Sequence, residues 1–125
     1  MATRSTFVGL DVHKASIAVA IAEGGRLGEV RVYGTVGGDL DALDTVVRAL
    51  RAEDRTLHCV YEAGPCGFTI FRHLHGQGED CAVVSPSLIP KRPGDRVKTD
   101  RRDATMLARL HRAGELRAIY VPNLP

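Results

Sequence analysis

Four acidic side chains stand where they could do chemistry together. Two lie in the run Lys98-Thr99-Asp100-Arg101-Arg102-Asp103-Ala104. Read as a helix from about Asp100, this run puts Asp100, Asp103, Leu107 and Leu110 at i, i+3, i+7 and i+10, on one stripe. Leu107 and Leu110 need a core, so the carboxylates would extend an inward-facing stripe. Crowded, half-buried carboxylates repel one another and lose hydration unless a cation or donor meets them. A divalent metal is the first candidate for that positive charge. Asp11 ends one apolar run, Thr6 to Leu10, and Glu62 ends another, Leu57 to Tyr61. Phosphoryl transfer on nucleic acid uses two Mg²⁺ ions about 3.5–4 Å apart, and Mg²⁺ takes hard oxygen ligands while keeping several waters. Two acids from strand ends and a helical pair would meet that need. Each acid also has a plain structural reading: strand-end aspartates make turns, Asp100 can cap the last helix, and Asp103 can complement its dipole.

The elements that must position these acids follow from periodicity. Thr6 to Leu10 and Ser16 to Ala22 are apolar runs joined by Val12-His13-Lys14-Ala15, short enough for a hairpin. Glu23-Gly24-Gly25-Arg26 is a turn. Gly28 to Thr35 then alternates, with Val30 and Val32 on one face and Arg31 and Tyr33 on the other. After Gly37-Gly38 the period changes: Leu40, Leu43, Val46, Val47 and Leu50 form a helical stripe with Asp39 as cap. Leu57 to Tyr61 reads as a strand, Phe68 to His75 as a helix, and Cys81 to Val84 as a buried strand. From Ser85 to Val97 prolines and basic residues read as a loop. The last helix runs from about Asp100 to Ala113, with Gly114 as its stop. The order β-β-β-α-β-α-β-α predicts an α/β fold with a mixed sheet, a three-strand antiparallel meander followed by parallel β-α units. Asp11 and Glu62 then lie at the C-terminal ends of neighbouring parallel strands, the edge where open α/β sheets bind ligands.

Composition sets the outer bounds. With 125 residues, 44% hydrophobic and 26% charged, the chain is of globular type and one domain in size. A net charge of +2 does not itself argue for nucleic acid; only local clustering can. Cys59, Cys66 and Cys81 show no C-x-x-C spacing, which favours a reduced, cytoplasmic compartment over disulfides or zinc. No segment approaches a membrane span. Residues 1–121 read as the domain, and 122–125 (Pro-Asn-Leu-Pro) as the start of a linker.

Other side chains have weaker claims. Lys14 follows Asp11 closely enough to meet a phosphate, although a solvated turn explains it equally. Lys91, Arg92, Arg96, Lys98, Arg101 and Arg102 crowd beside the acids, a density that favours contact with a phosphate backbone. His73 and His75 have poor ligand spacing, while His58 and His111 read as packing or surface residues. Cys66 reads as a small buried thiol, and Tyr33 and Tyr61 as strand packing.

Gly9-Leu10-Asp11-Val12-His13-Lys14, Tyr61-Glu62-Ala63-Gly64 and the Lys98–Ala104 run resemble the signatures of DEDD-type insertion-sequence transposases. The resemblance spans nearly the whole chain. It implies a RuvC-type domain on the RNase H-like fold, acting in DNA transposition and recombination. By that resemblance Asp11, Glu62, Asp100 and Asp103 form an acidic tetrad that binds Mg²⁺, with Mn²⁺ as substitute, for strand cleavage and transfer. Asp11 would bridge two metals, Glu62 and Asp103 would complete the shells, and Asp100 would ligate or orient a water. The resemblance also implies DNA and a structured guide RNA as partners, a homo-oligomer in the full-length protein, and a serine-bearing C-terminal domain that this chain lacks. Three rivals stand beside it. A RuvC-like junction resolvase or nuclease would use the same tetrad. A sugar-kinase or actin-like ATPase would want a glycine and hydroxyl phosphate loop where this chain has Val12-His13-Lys14. A non-catalytic nucleic-acid-binding domain would carry the acids as structural groups.

Overall fold

The computed structural model describes residues 4–25, 28–64, 67–89, 98–100 and 102–121, with the main chain alone for 87–89 and 98–100. Strand β1 (Arg4–Val12) pairs antiparallel with β2 (Ser16–Glu23), and β2 pairs antiparallel with β3 (Val30–Gly37). The His13 N–H donates to the Ser16 carbonyl at 2.8 Å and closes the first hairpin. β2 is apolar at every position from Ile17 to Ala22, as a strand covered on both faces requires. β3 lies at the sheet edge, and Val32 and Tyr33 are exposed there. Tyr33 therefore does not pack as its alternation suggests.

Helix α1 (Leu40–Arg51) begins at Asp39, whose carboxylate accepts the Ala42 N–H at 2.7 Å, and it buries Leu43, Val46, Val47 and Leu50. Strand β4 (Arg55–Glu62) then lies parallel to β1, helix α2 (Thr69–Gly76) follows, and β5 (Asp80–Val84) lies parallel to β4. The sheet order β3-β2-β1-β4-β5, antiparallel on one side and parallel on the other, is the RNase H-like arrangement. Val8, Leu10, Ile17, Val19, Ile21 and Tyr61 pack against α1 and α2 in the main core. Tyr61 keeps its hydroxyl satisfied within that core by donating to the Gly67 carbonyl at 3.0 Å.

The opposite face carries helix α3 (Ala104–Arg112). Its Leu107 packs on Val60 and Val84. Here the structure corrects the sequence reading. Asp103 has φ −77° and ψ 174°, extended and not helical, and its carboxylate accepts the Met106 N–H at 2.7 Å. Aspartate is among the best residues for this capping geometry, so the helix starts after Asp103. Asp100 instead ends a short strand, β7 (Lys98–Asp100), which pairs antiparallel with β6 (Ser87–Ile89). Asp100 and Asp103 thus do not share a helical stripe, and the expected loop contains one short strand, β6, and is followed by another, β7. After α3 the chain returns beside β5: Val84 and Ala118 form an antiparallel bridge, and Ile119 N–H donates to the Val83 carbonyl at 2.8 Å. Among the described residues no helix is long and apolar enough to cross a membrane.

Candidate acidic site

Two strand-end acids come together as the topology demands. β1 and β4 run in register as far as Leu10 opposite Tyr61, so Asp11 and Glu62 occupy the next step of the same ladder. Their common side follows from the pleat. Gly9, two residues before Asp11, faces α3: an added Cβ there would lie 2.1 Å from the Ala104 carbonyl oxygen and 2.7 Å from the Ala108 nitrogen. Val60, two residues before Glu62, packs on Leu107 of the same helix. Both acids therefore project on the α3 side, and the close approach at Gly9 seats the start of α3 beside them. Asp103 caps that start.

The charges in the site are already partnered. Glu62 is buried, 3% exposed, and accepts two hydrogen bonds from Arg102. The main-chain N–H reaches Oε1 at 2.7 Å and the guanidinium Nη1 reaches Oε2 at 3.1 Å. Nη1 also donates to the Ser85 carbonyl at 3.2 Å. Asp11 Oδ2 lies 3.1 Å from His13 Nε2. A cleft of about 570 Å³ opens along the same strand ends, walled by Val12, Leu40 and Ile70 with His13, Lys14 and Glu62 in its lining.

Among the expected tetrad, then, Asp11, Glu62 and Asp103 gather at one end of the sheet, and the Asp100 side chain lies outside the described residues. Among the described residues no three of His, Cys, Asp and Glu converge closely enough to hold an ion as they stand. The donors are nonetheless carboxylate oxygens, the chemistry that Mg²⁺ and Mn²⁺ prefer. For a metal to fit, Glu62 has to exchange part of its bonding to Arg102.

Of the basic residues, Lys14 is exposed at the hairpin and Arg102 is turned inward onto Glu62. Lys91, Arg92, Arg96 and Arg101, and the side chain of Lys98, lie outside the described residues, as does Cys66. His58 stacks on Phe7 at 4.9 Å between ring centres, and His111 meets the same ring edge-on at 5.5 Å. Burial pushes the Cys59 thiol well up and that of Cys81 to about 12, so neither is poised as a nucleophile or ligand. Two residues of the site escaped the sequence reading in their actual roles. Arg102, expected as a phosphate contact, supplies a cation at a strand-end acid. Gly9 carried a signal that was available: glycine inside a strand often marks a close backbone approach.

Residues 8–124 match the family described as transposase, of the DEDD type named for the insertion sequence IS110. The chain is 49% identical over 120 residues to y4qE of Sinorhizobium fredii, a protein named as a transposase, which covers 96% of this chain and 31% of that protein. It is 34% identical over 110 residues to the transposase of insertion sequence element IS1533 of Leptospira borgpetersenii, covering 88% of this chain and 32% of that protein. The chain thus spans about a third of the length of these relatives. It belongs to the DEDD transposase family of the IS110 type.

Proposed function

We propose that this domain carries the acidic half of a metal-dependent DNA strand cleavage and transfer site in transposition. The observation that supports it best is the placement of Asp11 and Glu62 on one side of adjoining parallel strands, next to the capped start of α3. Asp11, Glu62, Asp103 and Asp100 would hold Mg²⁺, or Mn²⁺ in its place, as up to two ions. Bound there, such ions supply the positive charge that activates an attacking oxygen and stabilises a leaving one. The protein's own part is to fix the carboxylates: the β1–β4 ladder sets Asp11 against Glu62, and the seat at Gly9 sets Asp103 beside them. Lys14, exposed in the lining of the adjoining cleft, would meet a phosphate. Residues 1–121 form the domain in this reading, with 122–125 leading onward. Guide RNA, assembly of several copies and a serine-bearing C-terminal domain belong to the longer protein, so strand exchange is expected only where both domains are present.

A second reading, structural acids in a nucleic-acid-binding domain, has a specific observation in its favour: Asp103 already caps a helix. Two substitutions separate the readings. Asn caps about as well as Asp, whereas Ala loses about 1 kcal/mol. Asp103→Asn should therefore keep or raise the melting temperature in EDTA, because it removes one of several crowded negative charges. It should also shrink the stabilisation that Mn²⁺ confers on the wild type, which reaches about 2.7 kcal/mol when free metal is about a hundredfold above its dissociation constant. Asp103→Ala should melt lower in EDTA. If wild type and Asp103→Asn both ignore Mn²⁺, the acids are structural.

DNA contact is tested by salt dependence. Replacing Lys91, Arg92, Arg96 and Lys98 by Ala should weaken binding and flatten the plot of log K against log salt, by about one unit of slope for each lost phosphate contact. An unchanged slope removes these residues from the interface.

A further inference from the structure

We propose that Arg102 is a positioning residue that stands in for the metal at Glu62, and that metal binding displaces its guanidinium while leaving its main-chain N–H in place. The two bonds to Glu62 differ in kind. Oε1 is held at 2.7 Å by the Arg102 main chain, one residue before the Asp103 cap, and cannot be released without unseating the start of α3. Oε2 is met at 3.1 Å by the guanidinium, at the end of a flexible side chain that also donates to the Ser85 carbonyl. The carboxylate is therefore clamped at one oxygen and exchangeable at the other. Burial makes the clamp necessary, since Glu62 is 3% exposed and a buried charge without a partner is strongly destabilising. It also makes simultaneous occupancy costly, because a guanidinium and a divalent ion at one carboxylate repel each other. Arg102 keeps Glu62 aimed and compensated without metal, and gives way to the ion that replaces it.

This inference rests on the metal reading above, and the experiment separates the two. Mn²⁺ binding to the full 125-residue chain is measured by calorimetry for wild type, Arg102→Gln and Arg102→Lys, with melting in EDTA alongside. Arg102→Gln should bind Mn²⁺ roughly tenfold tighter, the size expected for removing a unit charge about 6 Å from a divalent ion in water-like surroundings. It should also melt lower than wild type in EDTA. Arg102→Lys, which keeps the charge, should bind Mn²⁺ within about threefold of wild type. A purely structural Arg102 would instead weaken metal binding and stability together. Equal or weaker binding by Arg102→Gln overturns the exchange while leaving the metal reading standing. Absence of binding by all three proteins overturns both. Should Arg102→Gln not fold, nitrogen NMR of the wild-type guanidinium decides. Mg²⁺ should speed solvent exchange of the Arg102 side-chain N–H groups and leave the main-chain N–H protected; no change in the side-chain signals overturns the proposal.

Discussion

Replacing Gly9 with alanine is expected to destabilise the protein by about 3 kcal/mol, at the top of the range for forcing extra carbon into a packed interior. Ordinarily this substitution in an extended strand would help, because alanine costs less backbone entropy than glycine. Here the new Cβ would sit 2.1 Å from the Ala104 carbonyl oxygen and 2.7 Å from the Ala108 nitrogen. Both are main-chain atoms of α3 and cannot rotate aside. The helix has to lift, taking Asp103 and Arg102 away from Asp11 and Glu62, so the metal binding proposed above should fall with stability. Gly64→Ala is the control, since an added Cβ there meets nothing within 4 Å. Urea unfolding of the two variants should show a large loss for the first and less than about 1 kcal/mol for the second. Similar curves would mean that the helix is not seated on Gly9.

The second large effect is expected far from the acids, at Arg55. Its guanidinium is buried at the opposite end of the sheet, 2.6 Å from Glu23 Oε2 and 2.9 Å from the Thr6 hydroxyl. Arg55→Leu removes the cation and strands a partly buried carboxylate, at a cost of about 3–5 kcal/mol. Adding Glu23→Leu should restore much of that loss, because two apolar residues of similar volume tolerate burial well. Acid titration provides an independent check. Burial raises the Glu23 carboxyl, but hydrogen bonds from Arg55 and Thr6 and the Arg55 charge outweigh it and hold it below the usual range. A carboxyl lowered by folding stabilises the fold above its unfolded pKa, near about 4.3, and that contribution is lost as pH falls through the folded value. Wild-type stability should thus decline with acid below about pH 5, more steeply than that of the double variant. Parallel acid profiles would show that the pair contributes little.

The meander, the two α-β units and the meeting of Asp11 with Glu62 were legible because each rests on a pattern local to its own segment. Alternation, the Leu40 to Leu50 stripe and a cap at Asp39 leave few other solutions, and parallel pairing then brings the two strand ends together. The start of α3 was not legible. Two aspartates three apart satisfy a helical stripe, and equally a strand end followed by a cap. Capping prevails because the Asp103 carboxylate meets an otherwise unsatisfied N–H of the first turn. Arg55 was also hidden. In sequence it closes a run of charges, and only the convergence of β1, β2 and β4 reveals that it is enclosed. Arg102 lay in view as a cation, but nothing local to its own segment singles out Glu62, distant in sequence, as its partner.

The parallel pairing of β1 with β4 also bears on when the site comes into being. The meander closes from neighbours in sequence, whereas Leu10 has to find Tyr61 across all of β2, β3 and α1. Contacts of such wide separation carry a loop-closure cost that slows their formation. Asp103 joins only after α3, last of the elements, has docked over Gly9. A chain leaving the ribosome would therefore close its meander and first helix well before its acids share an edge. Early collapsed species, which in larger proteins often hold native-like secondary structure with incomplete packing, would have the fold's outline without its site. A partly folded molecule would lack the assembled acidic edge by topology alone.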